Sequence, residues 1–158
     1  MPAWLVNALA FAVGLAGMEA VAWTTHRYLM HGPLWRWHRS HHEPRRGAFE
    51  ANDLFGLIFA APPIALFGLA GIVDRPALAW LAGGMTAYGL LYMLVHDGLV
   101  HRRFPLPVQA RSGYLQRLVR AHHLHHLTRS REGAVSFGFL LAPDPMRLAA
   151  GLRAARRR

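Results

Sequence analysis

The sequence predicts an all-α integral membrane protein, three transmembrane helices with a cytoplasmic, histidine-rich helical cap. Three observations predict it. Three long runs are almost free of charge. The arginines gather on what would be one side of those runs. Ten of the eleven histidines fall into two copies of one two-part pattern. The chain has 158 residues, 53% of them apolar, yet a net charge of +10. That length suits one domain, 1–158. It leaves too little chain to cover three such runs as the buried helices of a soluble protein.

The first span is expected over about 3–25, where Glu19 is the sole charge. About 20 apolar residues cross a bilayer. No basic segment precedes the run, so it reads as a retained helix rather than a signal peptide. The second span is expected over 54–73, kinked at Pro62-Pro63, and the third over 76–97. A tight turn at Asp74-Arg75 joins them. A fourth apolar run, 133–143, has about half the required length; it reads as re-entrant or interfacial, with a fourth crossing as the alternative. The tail opens an amphipathic surface helix at Asp144-Pro145, an N-cap followed by proline at the first helical position. Leu148, Leu152 and Ala155 share one side of it, and Arg153 and Arg156 to Arg158 add charge suited to anionic lipid.

Charge sets the orientation. Arg27, Arg36, Arg39, Arg45 and Arg46 lie between spans one and two, twelve more arginines follow span three, and Arg75 alone sits in the opposite turn. The positive-inside rule then makes 26–53 and 98–158 cytoplasmic. The protein is expected in the inner (cytoplasmic) membrane with its N-terminus outside. Trp23, Tyr28, Trp35 and Trp37 fit an interfacial aromatic belt. Topology explains the basic charge, so nucleic-acid binding is not expected.

The histidines follow directly from this frame. His26 and His31 are spaced HxxxxH, as are His96 and His101; His38, His41 and His42 are spaced HxxHH, as are His122, His125 and His126. Only His123 stands outside the pattern. On an α-helix the HxxHH rings share one face. Five residues turn an α-helix about 140° past a full turn, so the HxxxxH rings meet at one site only if the helix frays between them. Gly32-Pro33 provide a break after the first pair. The chain reads as a loose duplication, each half a span, HxxxxH and a helix carrying HxxHH, and two sets of five ligands suit two metal ions. With no cysteine in the chain, thiolate and iron–sulfur sites are excluded. Imidazole ligands suit iron or zinc.

Two imidazole-bound irons at a membrane surface suit oxygen chemistry: O2 and two electrons from an external donor insert one oxygen atom into a C–H bond. Zinc would suggest hydrolysis, but no nucleophile elbow accompanies the histidines. No dinucleotide motif is present, so electrons must be borrowed. An acidic, ferredoxin-like donor docking on the arginine-rich face is expected. A non-enzymatic metal- or heme-binding membrane protein is the alternative of a different class. Glu19 and Asp97 are the acids within the spans. An intramembrane acid is a functional candidate, and both are expected to hold imidazole N–H groups, with arginine pairing or backbone capping as the alternative.

The stretches MHGPLWRWHRSHHEP (30–44), GAFEANDLF (47–55), HDGLVHRRFP (96–105), AHHLHHL (121–127) and REGAVSFGFL (131–140) resemble the bacterial non-heme di-iron carotenoid β-ring hydroxylases (β-carotene 3-hydroxylases) of the fatty acid hydroxylase/sterol desaturase superfamily. The resemblance implies conversion of β-carotene through β-cryptoxanthin to zeaxanthin with O2, two irons and a reduced ferredoxin-type donor. It leaves His123 without a ligand role. Related carotenoid ketolases and fatty acyl or sphingolipid hydroxylases are the near alternatives. Ring carbon 4 of a β-ring is allylic and carbon 3 is not, so attack at carbon 3 requires a pocket that positions the ring against its intrinsic reactivity. Phe137, Phe139, Leu140, Leu141, Phe49 and Phe55 are candidates to line that apolar slot.

Overall fold

A computed structural model describes residues 1–44, 47–111 and 113–156, with no side-chain description for Arg156. The expectations for Arg45, Arg46 and Arg156 to Arg158 therefore lie outside the described side chains. Every regular element among the described residues is helical. The order is α1 (Ala3–Thr24), a π-helical segment (Thr25–Met30), α2 (Trp35–His42), a 3-10 turn (Ala51–Asp53), α3 (Leu54–Ile72), α4 (Pro76–Tyr92), a second π-helical segment (Met93–Val100), α5 (Gly113–His126) and α6 (Pro145–Arg156).

Three stretches are long and apolar enough to cross a membrane: Ala3–Met30, Ala51–Ile72 and Pro76–Val100. Their large apolar side chains face outward, with Val13, Ile64 and Leu57 being 63%, 68% and 70% exposed. In water such a surface would be an aggregation site; in lipid it is the solvated face. α3 continues through Pro62 and Pro63. The turn after it closes with Asp74 in the left-handed region (φ 50°) and Arg75 N–H donating to the Ala70 carbonyl. The run 133–143 is not helical; it folds as a loop against α1, so the fourth crossing is not formed.

α1 and α4 run parallel, and small residues let them touch backbone to backbone. A Cβ at Gly14 would run into the Leu81 carbonyl, and one at Gly84 into the Phe11 carbonyl. Further along, Tyr88 Oη donates to Glu19 Oε2 at 2.7 Å, across 69 positions of sequence. His26 and His96 stand 70 positions apart, as do His31 and His101. The register of the parallel pair thus brings both HxxxxH pairs to the same level.

The helices do not fray at those pairs. Each widens into a π-helical segment, with His31 N–H donating to the His26 carbonyl at 3.0 Å and His101 N–H to the His96 carbonyl at 2.9 Å. These are i→i+5 bonds, the π-helical pattern. The wider turn stacks residues five apart on one face, and the ring centroids lie 5.2 Å and 4.5 Å apart. The expectation of a frayed helix is corrected: one extra residue per turn does what fraying was invoked to do.

Candidate metal centre

Nine histidines converge in two groups. His26, His31, His38, His42 and His125 form the first; His41, His96, His101 and His122 form the second. Within each, one nitrogen per ring lies within 4.8 Å of all the others. His126 adjoins the second group, its Nε2 2.8 Å from His122 Nε2. His123 is exposed and points off α5 away from both groups' converging nitrogens.

The groups do not follow the two halves of the sequence. In each HxxHH helix the first ring joins its own half's group, and the middle ring crosses to the other: His41 lies against His96, Nε2 to Nε2 at 3.1 Å, and His125 against His31 at 3.2 Å. Residues i and i+3 diverge by about 60° on an α-helix. One short helix therefore serves two centres, where one set per half was expected.

The outward nitrogens explain how the rings are held. His26, His31, His42 and His125 donate Nδ1–H to the main-chain carbonyls of Phe137, Arg131, Thr128 and Val135, at 2.8–3.0 Å. His38 donates to the Asn52 side-chain oxygen at 2.7 Å, His41 to Glu50 at 2.9 Å and His96 to Asp97 at 2.7 Å. A neutral imidazole that donates through Nδ1 presents a bare lone pair at Nε2. Those lone pairs face each other: 3.1 Å between His26 and His38 and between His38 and His42, besides the two contacts above. Bare lone pairs at that spacing repel unless a cation lies between them. The donor set therefore fits metal ions.

Burial favours the same protonation state. It holds His38 and His101 down at about 3 and His42 at about 4. It also lowers His31, His41, His122, His125 and His126. Removal from water is the largest cause in each, because it disfavours the charged ring. Neutral rings are the form that ligates metal.

The remaining sequence candidates divide. Among the described residues Glu19 hydrogen-bonds to the Tyr88 hydroxyl and to backbone N–H groups rather than to a histidine. It is buried and accepts from Tyr88 Oη and from the backbone N–H groups of Phe139, Leu140 and Leu141 at 2.7–3.1 Å. Of the roles expected for it, backbone capping is the one these bonds form, because the 133–143 loop lies against it. Phe137 packs edge-on to His26, His31 and His125, and Phe139 to His96 and His122. Phe55 is buried beside His38. Leu140 offers its carbonyl to Tyr114. Phe49 and Leu141 are 86% and 77% exposed; Leu141 borders an open cavity with Trp23, Arg27 and Phe137. Trp35 turns from the expected interfacial belt to pack on His31, His38 and His42.

Sequence reasoning missed Glu50, Asn52 and Arg103. Arg103 donates to both Asp53 oxygens at 2.6 and 2.7 Å and lies 3.6 Å from Glu50 and 3.8 Å from Asp97. The available signal was two acids and an amide, EAND, packed against the start of an apolar run.

The sequence pattern of the family described as Fatty acid hydroxylase matches residues 11–143. A beta-carotene hydroxylase of Pantoea ananas is 55% identical over 150 residues, covering 95% of this chain and 85% of its own. One of Pseudescherichia vulneris is 56% identical over 151 residues, 94% and 84% of the two chains. Beta-carotene 3-hydroxylase 2, chloroplastic, of Arabidopsis thaliana is 44% identical over 143 residues, 88% of this chain and 46% of that longer protein. No solved structure matches the chain. A pattern covering most of the sequence and bacterial relatives covering 94–95% of this chain agree with the paired histidine clusters: the chain belongs to the fatty acid hydroxylase family.

Proposed function

We propose that the protein is a β-carotene 3-hydroxylase, a membrane oxidoreductase that hydroxylates carotenoid β-rings at carbon 3, taking β-carotene to β-cryptoxanthin and then zeaxanthin. The observation that carries this is identity of 55–56% with bacterial beta-carotene hydroxylases over nearly the whole chain. The ten histidines, His26, His31, His38, His41, His42, His96, His101, His122, His125 and His126, are the proposed ligands of two iron ions. When bound, the iron pair supplies the reaction of O2 with a C–H bond. Overall, substrate C–H, O2, two electrons and two protons give C–OH and water.

The chain's own residues do the rest. The carbonyls of the 128–137 segment, with Asn52, Glu50 and Asp97, fix the tautomer and aim of seven rings. Phe137 and Phe139, two residues apart in the loop after α5, each cover one cluster, leaving an apolar surface against which a β-ring can lie. Carbon 4 is the more reactive position, so reaction at carbon 3 requires that this surface hold the ring in register. The site lies at the ends of α1 and α4, where a substrate dissolved in the bilayer and a soluble donor both have access. We assign this end to the cytoplasmic face of the inner membrane from the arginine distribution. A reduced ferredoxin or similar acidic carrier is the proposed donor, meeting exposed Arg102, Arg117, Arg120 and Arg129.

Expression in a bacterial host that accumulates β-carotene, followed by pigment analysis, tests the assignment. β-Cryptoxanthin and zeaxanthin are the expected products. Iron-loaded protein that yields only a 4-oxygenated ring, or leaves carotenoid untouched beside a working donor, would overturn it.

A further inference from the structure

The groups behind the imidazoles differ between the two clusters. In the first, His26, His31, His42 and His125 all donate to main-chain carbonyls of one segment, and His38 donates to an amide oxygen. Every one of these acceptors is neutral. In the second, His41 and His96 donate to the carboxylates of Glu50 and Asp97. Arg103 lies between those acids and is closest to Asp53. Three carboxylates thus surround one guanidinium, and the second cluster keeps a net negative surround.

That difference has a direct electronic effect. A carboxylate accepting the Nδ1 proton pulls it partly away from the ring, and the far nitrogen becomes a stronger electron donor to a cation. A neutral carbonyl fixes the same tautomer with less of this push. The net negative charge also attracts a cation directly, the more so away from bulk water. Both effects act on the same side.

We propose that the two metal positions are unequal by construction. The His41, His96, His101 and His122 cluster holds its ion more tightly and stabilises the higher charge. The His26, His31, His38, His42 and His125 cluster releases its ion first. Glu50 and Asp97 are the positioning residues that create the inequality. This rests on the clusters being a two-metal centre, and is independent of which lipid-soluble substrate is oxidised.

The test is release of iron from the purified, full-length, iron-loaded protein in detergent, challenged with an excess of an Fe(II) chelator. Two phases of equal amplitude are expected. Glu50→Gln and Asp97→Asn keep an acceptor oxygen but remove the charge; each should speed the slow phase by about tenfold or more and leave the fast phase unchanged. Gly138→Ala acts on the other side. Its Cβ would lie 3.1 Å from Glu19 Oε1 and 3.2 Å from the Leu141 carbonyl, which shifts the segment supplying the first cluster's carbonyls and should speed the fast phase by a larger factor than the slow one. Mössbauer spectra of the 57Fe-loaded protein should show two doublets, only one of which moves in Asp97→Asn. Release of both ions in a single phase from the unaltered protein would overturn the proposal without any variant being needed. So would equal acceleration of both phases by the two amide variants. A folded protein that takes up no metal would instead overturn the two-metal reading beneath it.

Discussion

Single rings carry unequal weight in this site. His41→Ala and His125→Ala each remove a ring that one half of the chain lends to the other half's cluster, and each should abolish hydroxylation and lower bound iron. His123→Ala should keep both, since His123 is exposed and belongs to neither group; pigment and iron analysis of the three variants checks this. Protonation gives a second expectation. Unfolded, a histidine titrates near 6.5; burial holds His38 and His101 at about 3 and His42 at about 4. Between those values and 6.5 the unfolded chain binds protons that the folded chain does not, so this stability is complete above pH 6.5 and is lost progressively as pH falls from 6.5 to about 4 and then 3. Unfolding of the metal-free protein between pH 7.5 and 4, followed by tryptophan fluorescence, should show that slope; a flat profile would contradict it. The histidines were legible in the sequence because side-chain identity and spacing encode them. Their partners were mostly not. Four are main-chain carbonyls, which every residue has, and Glu50 and Asn52 meet His41 and His38 only because the chain turns back after α2.

At the scale of elements, the loop after α5 is held by one carboxylate. Glu19 occupies both oxygens with three backbone donors and the Tyr88 hydroxyl. Glu19→Ala strands those donors in a buried place and should cost on the order of 3 kcal/mol. Thermal unfolding in detergent, with proteolysis after Arg131 as the local probe, measures it; an unchanged midpoint and an unchanged cleavage rate would refute the role. The α1–α4 contact is equally specific. Gly84→Val places atoms where the Phe11 carbonyl already sits and should force the helices apart, with loss of both clusters and of bound iron. The spans were legible because twenty apolar residues have few other uses. The π-helical segments were not, since nothing in the residues between the histidines favours a wider turn. The five-residue spacing was the cue, and it was read against the wrong helix. The 133–143 run was legible as apolar but not as a loop. Its backbone donors are satisfied by an acid more than a hundred positions away.

The whole molecule places a polar, metal-competent centre at one end of an apolar bundle. The absence of cysteine makes its orientation easy to measure with single introduced thiols. His123→Cys should react with a membrane-impermeant reagent only from the cytoplasmic side, and Asp74→Cys only from the opposite side; the reverse pattern would invert the assigned topology. The parallel register of α1 and α4 was half legible. The equal spacing of the two HxxxxH pairs was visible as a repeat, but its match to the helix contact needed the packing of Gly14, Gly84 and Glu19.

The crossing of His41 and His125 between clusters also bears on synthesis. A chain emerging from the ribosome in order completes neither group until residues 122 and 125 have been made. The segment that covers the rings and orients four of them begins at Thr128. The last rings of both groups and the segment that covers them are therefore made within one short stretch, 122–139, late in translation. A nascent chain that already carries His26, His31, His38 and His42 holds four of the first group's five rings, but it lacks His125 and the carbonyls that orient them until that stretch is made.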